Sequence, residues 1–183
     1  MDDVTRILNA IRGGEVDAGN ELMAAVYQEL RKMAAAKMVR ERLGQTIQPT
    51  ALVHEAWMRL GEQTFESRGH FFVAAAEAMR RILIDRARRK NRDKRGGAPE
   101  HLDVAEVEIA APLGNENEAM EVDGVLDQLA AHDARKAEVV KLRYFVGCSF
   151  EETASLLGIS APTAKRDWAY SRAWLRRELA AGP

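Results

Sequence analysis

FEETASLLGISAPTAKRDW, residues 150–168, is the stretch on which the fold turns. Gly158 supplies a tight turn. Ser160 follows, and a serine ahead of a helix accepts hydrogen bonds from the first unpaired backbone N–H groups. Pro162 is tolerated in the first turn, so a helix is expected to begin at Ser160 or just after it. Ala154 is small where two helices must cross, and Ile159 can plug the junction. In the second helix Ala164, Trp168, Ser171, Leu175 and Leu179 fall on one stripe, leaving Lys165, Arg166, Ala169, Tyr170, Arg172 and Arg176 on the other face. Lys165 and Arg166 thus sit near the positive end of a helix, where the local dipole disfavours cations.

This is the spacing of a helix-turn-helix. The N-terminal end of its second helix enters the major groove, where Arg and Lys reach guanine O6 and N7. Phosphates and bases would then offset the unfavourable dipole. The bland alternative is a C-terminal helical hairpin with a solvated basic face. Trp168 and Trp174 are expected in a core or interface, not stacked on bases.

Charge along the rest of the 183 residues is segregated, although the net charge is only −1. From Arg80 to Arg95 nine cations face two acids, and from Gly96 to Asp127 there are nine acids and no Lys or Arg. From Ser160 to Glu178 five cations again outnumber two acids. Solvated faces usually mix both signs, so the separation points to polyanion-binding ends and an acidic connector. It also leaves open a closed free state, with the acidic connector lying on the basic patch.

The apolar pattern is helical throughout, with no period-2 strand. Val4, Ile7, Leu8 and Ile11 form a stripe ended by Gly13 and Gly14. Asp17 is expected to cap a helix with Leu22, Val26, Leu30 and Met33 inward, broken at Gly44. Thr50 is expected to cap a third, with Leu52, Ala56 and Leu60 on one face. A fourth runs from about His70 past Arg89 on Phe72, Ala75, Met79, Ile82 and Leu83. Residues 96–120 carry Gly-Gly-Ala-Pro, Ala-Pro-Leu-Gly and scattered acids without a stripe, and read as a flexible linker. Helices resume around Val125, Leu126 and Leu129, then from about Ala134 to Phe145, then over Phe150–Leu157. The expected fold is all-α: a helical bundle over 1–95, an acidic linker over 96–120 and a helix-turn-helix domain over 121–183.

No run of apolar residues is long enough to span a membrane, and Met1-Asp2-Asp3 is not a signal peptide, so a soluble cytoplasmic protein is expected. A single cysteine, Cys148, excludes an intramolecular disulfide and a Cys-rich zinc site, and is expected to be a small buried residue. His54-Glu55 lacks the second histidine of a zinc-protease helix, since position 58 is Met58. Tyr144 and Tyr170 have no convergent Arg or His set. The sequence therefore offers no catalytic, metal or cofactor site.

These segments resemble a known family. VVKLRYFVGCSFEETASLLGISAPTAKRDWAYSRAWLRREL is similar to region 4 of sigma-70 family transcription factors. TALVHEAWMRL resembles the region-2 helix that grips the polymerase clamp, and GHFFVAAAEAMRRILIDRARRKNR the promoter-melting segment after it. The order, the linker and the lack of regions 1.1 and 3 are those of the extracytoplasmic-function (ECF) type, and the resemblance covers about nine tenths of the chain.

What the resemblance implies is a sigma factor, a dissociable subunit that binds core RNA polymerase at its clamp and flap and directs initiation at promoter DNA. Residues 1–95 would open the −10 element and 121–183 read the −35 element as duplex. An anti-sigma factor is a further candidate partner; no cofactor is implied. A spacer of roughly 16 bp covers about 55 Å, within the ~80 Å stretched reach of 25 linker residues. By position, Leu52, Val53, Glu55, Trp57 and Arg59 match the clamp contact, although Thr50 and Ala51 stand where acids are common. Phe65, Arg68, His70 and Phe71 match the pocket for a flipped −10 base, with Phe72 expected inside. Arg80, Arg86, Arg88 and Arg89 match phosphate contacts, and Arg81 replaces a common asparagine. Ser160, Thr163, Lys165, Arg166, Ala169, Tyr170 and Arg172 match −35 contacts. Asp167 replaces a frequent cation, and would accept from cytosine N4 or pair with a nearby Arg. The rival reading is a stand-alone helix-turn-helix regulator that dimerises through its front half.

Overall fold

The computed structural model describes residues 3–13, 18–40, 48–61, 63–93 and 116–181, and all their regular structure is helical. The helices are α1 (Asp3–Arg12), α2 (Ala18–Arg40), α3 (Pro49–Leu60), α4 (Arg68–Asp93), α5 (Glu116–His132), α6 (Ala134–Val140), α7 (Phe150–Leu157) and α8 (Ala161–Ala181). A π-helical segment, Lys141–Val146, continues α6. The expected cap at Asp17, the break at Gly44, the inward faces of Ile11 and Met33, and positions 96–115 of the linker lie outside the described residues. Positions 116–120, assigned to the linker, are helical and open α5.

Local chemistry explains the helix ends. Pro49 sits in the first turn of α3, where its missing N–H costs nothing and its fixed φ is already helical. Gln48 is therefore the N-cap, without a side-chain cap hydrogen bond, and Thr50, expected there, lies inside the helix. Asp133 caps α6 by accepting from the Lys136 N–H at 3.1 Å. Ser149 and Glu152 form a reciprocal capping box on α7. At the turn into α8, Gly158 adopts φ 64°, a left-handed conformation that side chains resist.

Two apolar cores are built on α4. The first joins Ile7 and Leu8 of α1, Val26 and Leu30 of α2, Leu52 and Ala56 of α3, and Phe72, Met79 and Ile82 of α4. Leu142, Val146, Cys148 and Leu156, from the C-terminal half, belong to that same core. The second joins Leu126, Leu129, Val140, Phe145, Trp168 and Leu175, with Ile84 of α4 against them. The two halves are thus packed together, with α4 touching α5, the π segment and α7. At the tightest point a Cβ on Gly69 would overlap the Leu156 carbonyl. Burial sets Cys148 apart chemically: desolvation, with Glu152 nearby, pushes its thiol up to about 12, so it stays protonated and inert.

Candidate nucleic-acid interface

Ser160 fixes the start of α8: its hydroxyl accepts from the Thr163 N–H at 3.2 Å and lies 2.8 Å from the Thr163 hydroxyl. The expected stripe is inside, with Ala164, Trp168, Ser171 and Leu175 buried. Ser171 is tolerated there because its hydroxyl donates to the Asp167 carbonyl at 2.8 Å. Lys165, Arg166, Ala169, Tyr170 and Arg176 are exposed on the outer face, and Arg172 is half-buried.

Asp167 leaves that face. It is only 2 % exposed and accepts from Arg135 Nε of α6 at 2.8 Å. Of its two expected roles, the structure shows the pairing with a nearby Arg. Removing Arg135 strands a buried carboxylate, whereas Asp167→Asn keeps an acceptor in place. The expected order of melting temperature is therefore wild type, then Asp167→Asn, then Arg135→Ala, read by thermal denaturation. Tyr170 is anchored from the same side. Its hydroxyl lies 3.2 Å from His132 Nε2, and the Lys136 ammonium sits 4.7 Å from its ring centre.

Arg143 is a residue the sequence reading missed. Its guanidinium stacks 3.7 Å from the centre of the Phe150 ring, lies 5.3 Å from that of Trp168, and donates to the Cys148 carbonyl at 2.6 Å. One side chain thus ties the π segment to both helices of the helix-turn-helix. The signal was an arginine four positions before the Gly147 turn, but nothing local tells where such a long side chain folds.

On α4 the arginines divide by exposure. Arg81 is open, with 71 % of its side chain exposed, and pairs with Glu77 at 2.9 Å. Arg86 pairs with Glu55 of α3 at 3.0 Å, and Arg89 is exposed. Arg88 meets Asp123 of α5 at 3.2 Å. Arg80 differs from the rest: it is 5 % exposed, with Nε 2.6 Å from Asp123 and Nη2 3.0 Å from Asp127. In this arrangement Arg80, expected to hold phosphate, is turned to the two carboxylates of α5 and away from solvent. The cause is the approach of α5, which brings two carboxylates to it.

Glu77 extends the same network through Lys141 Nζ at 2.9 Å. Burial alone would raise its carboxyl, but Lys141, Arg80 and Arg81 outweigh that and hold it below 4.5. A carboxylate with a depressed folded pKa adds stability above its unfolded value and loses it as pH falls through the folded one. Wild type should therefore exceed Glu77→Gln by a constant margin from neutral pH down to about 4.5, and the margin should vanish in stronger acid. Denaturant midpoints across that range test this.

The expected base pocket is closed. Phe65, Phe71 and Phe72 are all buried, and they pack edge to face, with Phe65–Phe71 at 5.1 Å and Phe71–Phe72 at 5.4 Å between ring centres. Phe71 was expected outside and Phe72 inside. Both are interior, because Trp57 and Phe65 close over Phe71. Only the polar members reach the surface: His70 is exposed, and half-buried Arg68 pairs with Glu29 and lies 5.0 Å over the Phe72 ring.

On α3, Leu52 and Val53 are core residues, while Trp57 is half-buried. Arg59 bridges Glu55 at 3.5 Å and Asp85 of α4 at 3.2 Å. Met58, outside the Leu52–Ala56–Leu60 stripe, is 69 % exposed, an apolar side chain on the outer side of this helix that the sequence reading left out.

The family model for ECF sigma factors matches residues 1–181. The chain belongs to the ECF sigma factor family. No curated protein gives a significant match. As an ECF sigma factor the protein binds DNA and RNA polymerase and acts in transcription initiation. The sigma factor's described residues contain no helix long and apolar enough to cross a membrane, and no cluster of three or more His, Cys, Asp or Glu side chains that could hold a metal ion.

Proposed function

We propose that this sigma factor directs core polymerase to two-part promoters, reading the −35 element with α8 and opening the −10 element with α4 and the turn before it. The observation that carries the reading is the outer face of α8. Lys165, Arg166, Ala169 and Tyr170 are exposed together over a buried apolar stripe, at the end of the helix that enters a major groove. Ser160 and Thr163 add hydroxyls at that end, and Arg172 reaches the flanking backbone. On the −10 side, Arg68 and His70 supply polar contacts, while Arg81, Arg86, Arg88 and Arg89 take phosphates. The buried trio Phe65, Phe71 and Phe72 supports the turn that presents them. The clamp contact is the outer side of α3, formed by Glu55, Trp57 and Arg59 with Met58, and Leu52 and Val53 hold its inner side to the core. The functional division is 1–95, 96–120 and 121–183.

Footprinting of the assembled polymerase tests this. The expected pattern is two protected patches separated by roughly 16 bp of spacer, about 55 Å along the duplex. A single palindromic patch protected without polymerase would assign the chain to the stand-alone regulators.

A further inference from the structure

On the outer face of α8 the first pair of exposed residues is charged and the second is not. Lys165 and Arg166 end in cations. Ala169 and Tyr170, one turn further on, offer carbon and a single hydroxyl, and Tyr170 is 42 % exposed. That hydroxyl is engaged. It lies 3.2 Å from His132 Nε2 at the end of α5, a hydrogen bond in either tautomer of the histidine. The Lys136 ammonium of α6 stands 4.7 Å from the ring centre, within cation–π range. Lys136 is itself paired with Asp133, which caps the same helix. Asp167, three residues before Tyr170 and so about 60° from it around α8, is fixed by Arg135. The junction of α5 and α6 thus grips α8 along the side on which Tyr170 stands. With its hydroxyl turned to His132, the ring has aromatic carbon left to offer a groove.

We propose that Tyr170 is an apolar specificity residue: held by His132 and Lys136, its ring meets the 5-methyl group of a thymine in the −35 element, and its hydroxyl contacts no base. The proposal rests on the assignment of α8 to that element. In the major groove only thymine presents a methyl group, and apolar side chains recognise it by contact. Holding the ring in advance matters, because a loose side chain loses rotamer freedom on binding and an anchored one does not. Arg166 lies four residues before Tyr170, so the two are neighbours on one side of α8. Four residues rise about 6 Å along the helix, which spans about two base-pair steps of 3.4 Å. The thymine is therefore expected within about two base pairs of a guanine read by Arg166. Lys165 and Arg166 then select by charge and hydrogen bonding, and Tyr170 by shape. His132 and Lys136 are positioning residues that act through the ring.

The test uses the full chain with core polymerase and the promoter recovered by sequencing transcripts from a fragment library. Each thymine of its −35 element is replaced in turn by uracil, which removes the methyl group and leaves every hydrogen-bonding atom in place. Initiation on one of these templates is expected to fall about fourfold, the effect of one buried methyl group. Tyr170→Ala should bring that thymine-to-uracil ratio to about one. Lys165→Ala should lower initiation yet leave the ratio at about four, a distinction that a general loss of structure would not make. Tyr170→Phe, still held by Lys136, should initiate within about threefold of wild type and keep a ratio of about two or more. His132→Ala should lower the ratio to about two. A −35 element without thymine, a wild-type ratio near one at every thymine, or a ratio that survives Tyr170→Ala overturns the methyl contact and leaves α8 on the −35 element. Loss of initiation in Tyr170→Phe as large as in Tyr170→Ala overturns it as well, since the hydroxyl would then be the reader. No initiation from any template removes the −35 assignment and the methyl contact with it.

Discussion

Replacing Lys165 and Arg166 together with alanine is expected to cut promoter-directed initiation about a hundredfold, while leaving the melting temperature close to that of wild type. Both side chains are exposed on α8, so their removal leaves no cavity and no buried group without a partner. A good contact to a base edge contributes about 1–3 kcal/mol of discrimination, and two such losses give the hundredfold figure. If both contacted phosphates instead, binding would weaken evenly across sequences and the salt slope would fall by about 2. Transcription from matched and mismatched −35 elements at two salt concentrations distinguishes these modes. Unchanged initiation would take α8 out of promoter recognition.

The second large effect is on stability. Phe71→Ala is expected to cost about 3–5 kcal/mol, the range for truncating a buried aromatic. The ring is fully buried and meets Phe65, Phe72 and Trp57 within 6.2 Å between centres. A domain holds only about 5–15 kcal/mol in total, so much of the protein should unfold at moderate denaturant concentration. Had Phe71 been an open stacking surface, the same change would weaken −10 binding and leave stability near that of wild type. A urea midpoint decides between the two.

Much of the helix layout is legible because each face is repeated several times. The inward positions Leu22, Val26 and Leu30 on α2, and Ala164, Trp168, Ser171 and Leu175 on α8, are each buried. Periodicity does not tell which neighbour a stripe meets. Leu142, Val146 and Leu156 lie in the stretch 121–183 expected to be a separate helix-turn-helix domain, yet they are buried with α4 and its neighbours. Long-range pairing has no local signature, and the same holds for the Arg80–Asp123 contact, whose partners lie far apart in sequence. Adjacent phenylalanines mislead for another reason. Side chains at i and i+1 point about 100° apart on a helix, so one of Phe71 and Phe72 was expected outside. Trp57 on α3 and Phe65 before α4 cover the second ring, and only the tertiary fold reveals that cover. The cap at Gln48 was lost to Thr50 because Thr is the better capping side chain. Proline at N1 decides the register instead.

The helix-turn-helix is the most legible part because short-range chemistry sets all of it. Ser149 with Glu152, Gly158, and Ser160 with Thr163 each act within a few residues. Its bracing is less so. Arg135 holds Asp167 and Arg143 spans three segments, so the angle at which α8 is presented depends on residues outside the motif.

The most direct test is transcription in vitro with the purified chain, bacterial core polymerase stripped of its own sigma factor and a library of promoter fragments, with the transcripts sequenced. The expected result is a set of defined start sites that appear only when the chain is added and share −10 and −35 motifs. Initiation that does not depend on the chain, together with duplex binding that needs no polymerase, would contradict it.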